Sequence, residues 1–164
     1  MLFRSEVLPH LPGCTPALAK VAIRNAVIDF CEGSLIIQRD HDPITVIEGI
    51  IDYDFEPPTG YLVIKIMRAW YKDTELMPKA PDELPAALIY NKGYPNAVVT
   101  KADPNIITQK DERTFTIYPY PRETAALALT MRVGLKPTRA STTIDDVVYE
   151  DYAEIIGHGA RYRL

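Results

Sequence analysis

Asp40, His41 and Asp42 put three metal-ligand side chains side by side in the chain. Consecutive residues point in different directions, and no second cluster with ligand spacing completes a site, so the run reads as a solvated loop. Asp52 and Asp54 alternate with Ile51, Tyr53 and Phe55. On a strand they share one face ~7 Å apart, a spacing that suits paired carboxylates. The polar solvent side of a half-buried strand explains the same pattern. Cys14 precedes a helix start, but no His or Asn near it completes a nucleophilic arrangement. Cys31 falls on an apolar helix face and reads as a small hydrophobe. His10 and His158 have no companions and read as surface or interface histidines. There is no G-x-S-x-G, no P-loop and no G-x-G-x-x-G, and Gly157-His158-Gly159-Ala160 is too short to cradle phosphate. These residues lead to an expectation of no catalytic residue, no metal, no cofactor and no enzyme activity.

The elements that position these residues belong to an ordinary globular chain of 164 residues, 47% hydrophobic and 24% charged. That length fits one domain over residues 1–164. The net charge is −4 and the basic residues are scattered, which argues against a protein that grips nucleic acid. A protein that surrounds DNA without gripping it stays compatible. No run of ~20 apolar residues offers a membrane helix. Met1-Leu2-Phe3-Arg4 has no apolar core behind it, so a reducing compartment and two free thiols are expected.

Residues 1–14 are punctuated by proline and read as an extended arm. Thr15-Pro16 then opens a helix over 15–34, Thr as N-cap and Pro at the first helical position. Leu18, Ala22, Ala26 and Phe30 form one apolar row, and Ala19, Ile23, Val27 and Cys31 the next. Val21 and Ile28, seven apart, make a narrower stripe on the far side, a candidate contact with a neighbour. Residues 44–135 switch to strand signals: Ile51–Phe55, Leu62–Tyr71 with a Lys72-Asp73 turn, Ala97–Thr100, Ile106–Thr108 and Phe115–Tyr118. Asp82 caps one helical turn at most in the proline-rich stretch from 78 to 88. Leu127, Leu129, Met131, Val133 and Leu135 alternate with Ala128, Thr130, Arg132 and Gly134, five apolar positions on one face. A final helix and tail occupy 145–164, acidic at its start (Asp145, Asp146) and basic at its end (His158, Arg161, Arg163), as the helix dipole favours. Its inward face reads Val148, Tyr152, Ile155 and Ile156 and ends there, so residues from Gly159 on should be dispensable for folding. Gly157 and Gly159 mark a possible bend. The fold class is therefore α+β: a small antiparallel β-sandwich or open barrel bracketed by an N-terminal and a C-terminal amphipathic helix.

Several segments in order resemble the head-to-tail adaptor (connector) proteins of tailed bacteriophages. They are Leu8-Pro9 to Pro12-Gly13-Cys14 with the helix bearing Arg24, Ala26, Ile28, Phe30 and Cys31; Asp42-Pro43-Ile44; and Tyr53-Asp54-Phe55. Then come Ile117-Tyr118-Pro119, Leu135 to Thr142, Asp145-Asp146, Tyr149 to Glu154, Ile156 and Gly159-Ala160. The resemblance spans nearly the whole chain and is weakest between Pro78 and Asn105. It implies a virion structural protein of the head–tail junction, made in the host cytoplasm. Such a protein forms a homo-oligomeric ring, typically of twelve copies, that links the portal protein to a tail tube, nozzle or stopper protein. The ring lines the channel through which DNA leaves, without sequence-specific binding and without membrane. On that reading Val21 and Ile28 become ring contacts, and Arg161, Tyr162, Arg163 and Leu164 a portal-docking element. Alternatives are a tail-completion or stopper protein of the neck and, from another class, a small-molecule-binding β-domain or enzyme subunit.

Overall fold

The computed structural model describes residues 7–10, 13–84 and 101–164. The expected strand at Ala97–Thr100 and most of the expected N-terminal arm lie outside them. Within the arm, Val7 is fully buried and Leu8–His10 form a single 3-10 turn.

Among the described residues two α-helices and ten strands follow in order: α1 (Pro16–Ser34), β1 (Gln38–Val46), β2 (Asp52–Asp54), β3 (Tyr61–Tyr71), β4 (Thr74–Glu75), β5 (Met77–Pro78), β6 (Lys101–Ala102), β7 (Ile106–Gln109), β8 (Thr114–Tyr118), β9 (Tyr120–Pro121), β10 (Ala125–Pro137) and α2 (Asp146–Tyr162). The architecture is α+β and rich in antiparallel pairing. One four-stranded sheet has the order β1-β10-β3-β4, a second β2-β8-β7-β5, and β6 pairs with β9. Among the described residues neither four-stranded sheet closes on itself. The pairs β5·β7 and β6·β9 are parallel, a departure from a purely antiparallel region.

Contacts divide the chain into two compact units. A helical unit holds Met1–Gln38, Pro58–Ile64 and Leu135–Leu164; a strand unit holds Arg39–Pro57 and Lys65–Gly134.

In the strand unit, β8 buries Phe115, Thr116 and Ile117 in succession. Phe115 packs on Phe55 with ring centroids 4.8 Å apart and stacks on Tyr53 at 5.7 Å. The Lys72-Asp73 turn joins β3 to β4, with Lys72 at φ +54°. A single 3-10 turn at Pro81–Glu83 is braced by the Ala80 N–H donating to Glu83 Oε2.

Two expectations here need correction. Strand β1 starts at Gln38, so Asp40-His41-Asp42 lies on a strand and not in a solvated loop. Leu127 leaves the alternating face of β10: Leu129, Met131, Val133 and Leu135 are buried, whereas Leu127 is 63% exposed. Its φ is +50°, and its N–H donates to the Thr45 side chain. A left-handed residue in a strand turns the side chain off the face that period two assigns it.

Candidate interaction surface

Helix α1 begins as its sequence dictates. The Thr15 hydroxyl accepts the Leu18 N–H at 3.4 Å, and Pro16 occupies a position whose N–H has no helical partner anyway. At the far end Leu35 adopts φ +51° and its N–H bonds to Cys31 O. The buried face holds Ala19, Ala22, Ile23, Ala26, Val27 and Cys31. Leu18, expected on this face, is 53% exposed. It sits at the edge of the apolar arc, in the first turn of the helix.

On the opposite side, Val21 is 50% exposed and Ile28 is half-buried. The stripe read from the sequence is therefore on the outer surface. Lys20 and Arg24 flank it one turn apart, and neither has an ion-pair partner among the described residues. The acids of the same helix are engaged: Asp29 pairs with Arg163, and Glu32 with Lys136. The outer face of α1 thus presents apolar carbon edged by positive charge.

Helix α2 is capped by Asp145, whose Oδ1 accepts the Val147 N–H at 3.3 Å. Its buried residues are Val148, Ile156, Gly157 and Ala160, with Tyr152 half-buried against Phe30, ring centroids 5.1 Å apart. Ile155 is 56% exposed, which corrects its place on the inward face. It lies one residue from the buried Ile156, past the edge of a narrow buried arc. The helix runs on through Gly157 and Gly159 without a break. The inward face also continues beyond Ile156, because Ala160 is fully buried. Ala160, with half-buried Gly159 and Arg161, therefore belongs to the packed unit, and deletion of 159–164 should open it. The outer face carries Val147, Glu150, Asp151, Glu154, Ile155 and His158, all exposed. The Glu154 carboxylate lies 3.8 Å from His158 Nε2.

The four residues expected to dock elsewhere have different fates. Arg163 folds back: its guanidinium donates to Gly159 O at 2.7 Å and to the Asp29 carboxylate. Arg161 is half-buried, with Nε inside the fold and lacking a hydrogen-bond partner. Tyr162 is 93% exposed and Leu164 is exposed. Tyr162 and Leu164 present themselves outward, whereas the exposed Arg163 is tied back to the fold through its guanidinium.

A cleft of about 450 Å³ opens beside α1, within the helical unit. Ile23, Val27, Pro137 and Ile144 supply its apolar lining, and Lys20 and Arg24 its positive side. The Thr138 N–H donates to Gly60 O in the same unit. Gly60 is required there: its φ is +87°, and a Cβ would meet Ser141 Oγ at 3.2 Å. Lys20 escaped the sequence reading, and Arg24 entered it only through the family resemblance, with no role; the available signal was a basic i, i+4 pair bordering an outward apolar stripe.

The residues with chemical potential are scattered and locally satisfied. The His41 ring is buried; Nε2 accepts the Glu56 N–H at 2.9 Å and Nδ1 lies 2.7 Å from Asp42 O, so Nδ1 carries the proton and donates. Asp52 accepts from Lys110 Nζ and Thr116 Oγ1, each at 2.6 Å, while Asp54 is exposed. They are the solvent side of β2. Cys14 and Cys31 are free thiols, and burial pushes the Cys31 thiol up to about 11, aided by the nearby Asp145 and Glu32 carboxylates. His10 and His158 are both exposed. Among the described residues no three His, Cys, Asp or Glu side chains are placed to hold a metal ion. No described helix is long and apolar enough to cross a membrane.

No protein-family model matches this chain, and a search of curated proteins finds no significant match.

Proposed function

We propose that this protein is a structural component of a tailed-phage neck. It forms a ring between portal and tail through which DNA passes. One observation carries the reading: the helical unit leaves Leu18 and Val21 on α1, and Val147, Ile155 and Tyr162 on α2, uncovered at helical spacing. Large apolar side chains grouped in this way on charged helices are the ordinary makings of a protein–protein contact. The order of matching segments along the chain gives that contact its context. The net charge of −4 also suits a channel in which DNA slides, since a basic lining would retain phosphates.

In this reading Val21 and Ile28 serve the ring. Portal docking falls to Tyr162 and Leu164, with Arg161 and Arg163 holding the helix end in place. The β region is read as a small sandwich. Its support is the hydrogen bond from the Ile66 N–H on β3 to Gln109 Oε1 on β7, which ties strands of the two four-stranded sheets inside the strand unit. The protein is made in the host cytoplasm and resides in the virion.

Crosslinking with purified portal tests the docking half. Crosslinks from residues 158–164 are expected on portal. Crosslinks confined to the tail tube would favour a stopper instead.

A further inference from the structure

The two outer helix faces differ in charge. Face α1 presents Val21 and Ile28 edged by Lys20 and Arg24, while its acids are occupied by Lys136 and Arg163. Face α2 presents Val147 and Ile155 among Glu150, Asp151 and Glu154, with the His158 ring 3.8 Å from the Glu154 carboxylate. Lys20 and Arg24 are four residues apart, and so are Glu150 and Glu154, which sets each pair ~6 Å apart along its axis. One cationic turn therefore matches one anionic turn in length, each beside uncovered apolar carbon.

From this we infer that the occupant of the α1 face is the α2 face of a second copy of this chain. The contact pairs Lys20 and Arg24 with Glu150 and Glu154, and Val21 with the Val147–Ile155 side. It rests on the ring reading above and adds the symmetry of the contact. A two-fold pairing of α1 with α1 would set Lys20 and Arg24 against their own copies. A pairing of α2 with α2 would oppose three carboxylates to three more. Like charges across an interface are repulsive, so both two-fold arrangements are disfavoured. The complementary pairing is heterologous: each copy uses α1 toward one neighbour and α2 toward the other. Repeated around successive copies, it yields a closed ring or an open helix; made reciprocally between two copies, the same pairing would instead close a two-fold dimer, which the mass of the assembly tells apart from a ring.

Charge-swapped variants test this. K20E/R24E makes both faces acidic and E150K/E154K makes both basic. Each alone should lose self-association by on the order of 10-fold or more. Their equimolar mixture should recover it, because each variant's α1 then meets the other's α2. The quadruple variant K20E/R24E/E150K/E154K should assemble by itself. Circular dichroism of each variant identifies any that misfolds; the quadruple variant then decides. Native mass spectrometry at low salt, with portal protein present, reads the outcome. If the single-face variants assemble as wild type does, or the mixture stays monomeric, this contact is overturned while the ring reading survives. If wild type itself stays monomeric with portal present, the ring reading falls and this contact with it.

Discussion

The strand unit and the helical unit pair their charges on different elements. In the strand unit Arg68 pairs with Glu75, Lys72 with Glu123, Lys101 with Glu48, Lys110 with Asp52, Arg122 with Asp103 and Arg132 with Asp40. In the helical unit the α1 acids are paired, whereas Lys20 and Arg24 have no ion-pair partner among the described residues and lie beside exposed Val21. Surface ion pairs contribute little to stability. What they do is neutralise a face, and an unneutralised face bordering apolar carbon is the one able to select a partner. The difference is why the proposed contact is placed on the outer helix faces.

The largest effect that could break this comparison is Phe115→Ala set beside Val21→Ala. Phe115 is fully buried against Phe55 and Tyr53, so its truncation should cost about 3–5 kcal/mol. Val21→Ala should change folding stability by no more than ~0.5 kcal/mol while weakening self-association. Denaturant unfolding and sedimentation on the same two variants check the split. Equal losses of stability would mean that the α1 stripe is core.

Cys31 gives the next effect, and its sign follows from burial. Folding raises the thiol from 9.0 to about 11, so between those values the folded chain holds more protons than the unfolded one. Stability is complete below about pH 9 and falls as pH rises toward 11, by on the order of 2 kcal/mol. Cys31→Ala should flatten that part of the curve. In native protein at neutral pH a thiol reagent should label one cysteine, Cys14, and reach Cys31 only on unfolding.

Gly159→Ala is a smaller test of the helical unit. A Cβ there meets Ala26 Cβ at 3.6 Å and Arg163 Nη1 at 3.5 Å, ordinary contact distances. Removing a glycine from a helix interior should therefore raise stability by about 0.5–1 kcal/mol. A loss in thermal unfolding would show that α1 and α2 approach more closely than these distances allow. Smallest of all is Arg68→Ala in the strand unit. The Arg68 guanidinium, bonding Glu75, holds that carboxyl below its usual range. Losing this exposed pair should move the melting temperature less than Gly159→Ala does, and not at all in high salt.

Much of the framework was legible in the sequence, because local rules governed it. Thr15-Pro16 capped α1 as read, Asp145 capped α2, and the alternation of Leu129 to Leu135 gave a buried strand face. What failed was set by tertiary context. Leu127 was turned by a left-handed backbone that period two does not register. Leu18 and Ile155 sit at the edges of apolar arcs, where a residue's fate depends on which neighbour arrives. His41 was assigned to water because its partner, the Glu56 N–H, lies 15 residues away in the chain. Of the surface residues, Val21 was legible from its seven-residue spacing to Ile28. Lys20 and Arg24 were not, since their significance lies in partners taken by other side chains.

The most direct test of the neck-ring account is the mass of the native assembly, measured by native mass spectrometry on the protein alone and mixed with portal. The account predicts a discrete closed ring, bound to portal when portal is present. A protein that remains monomeric under both conditions would contradict it.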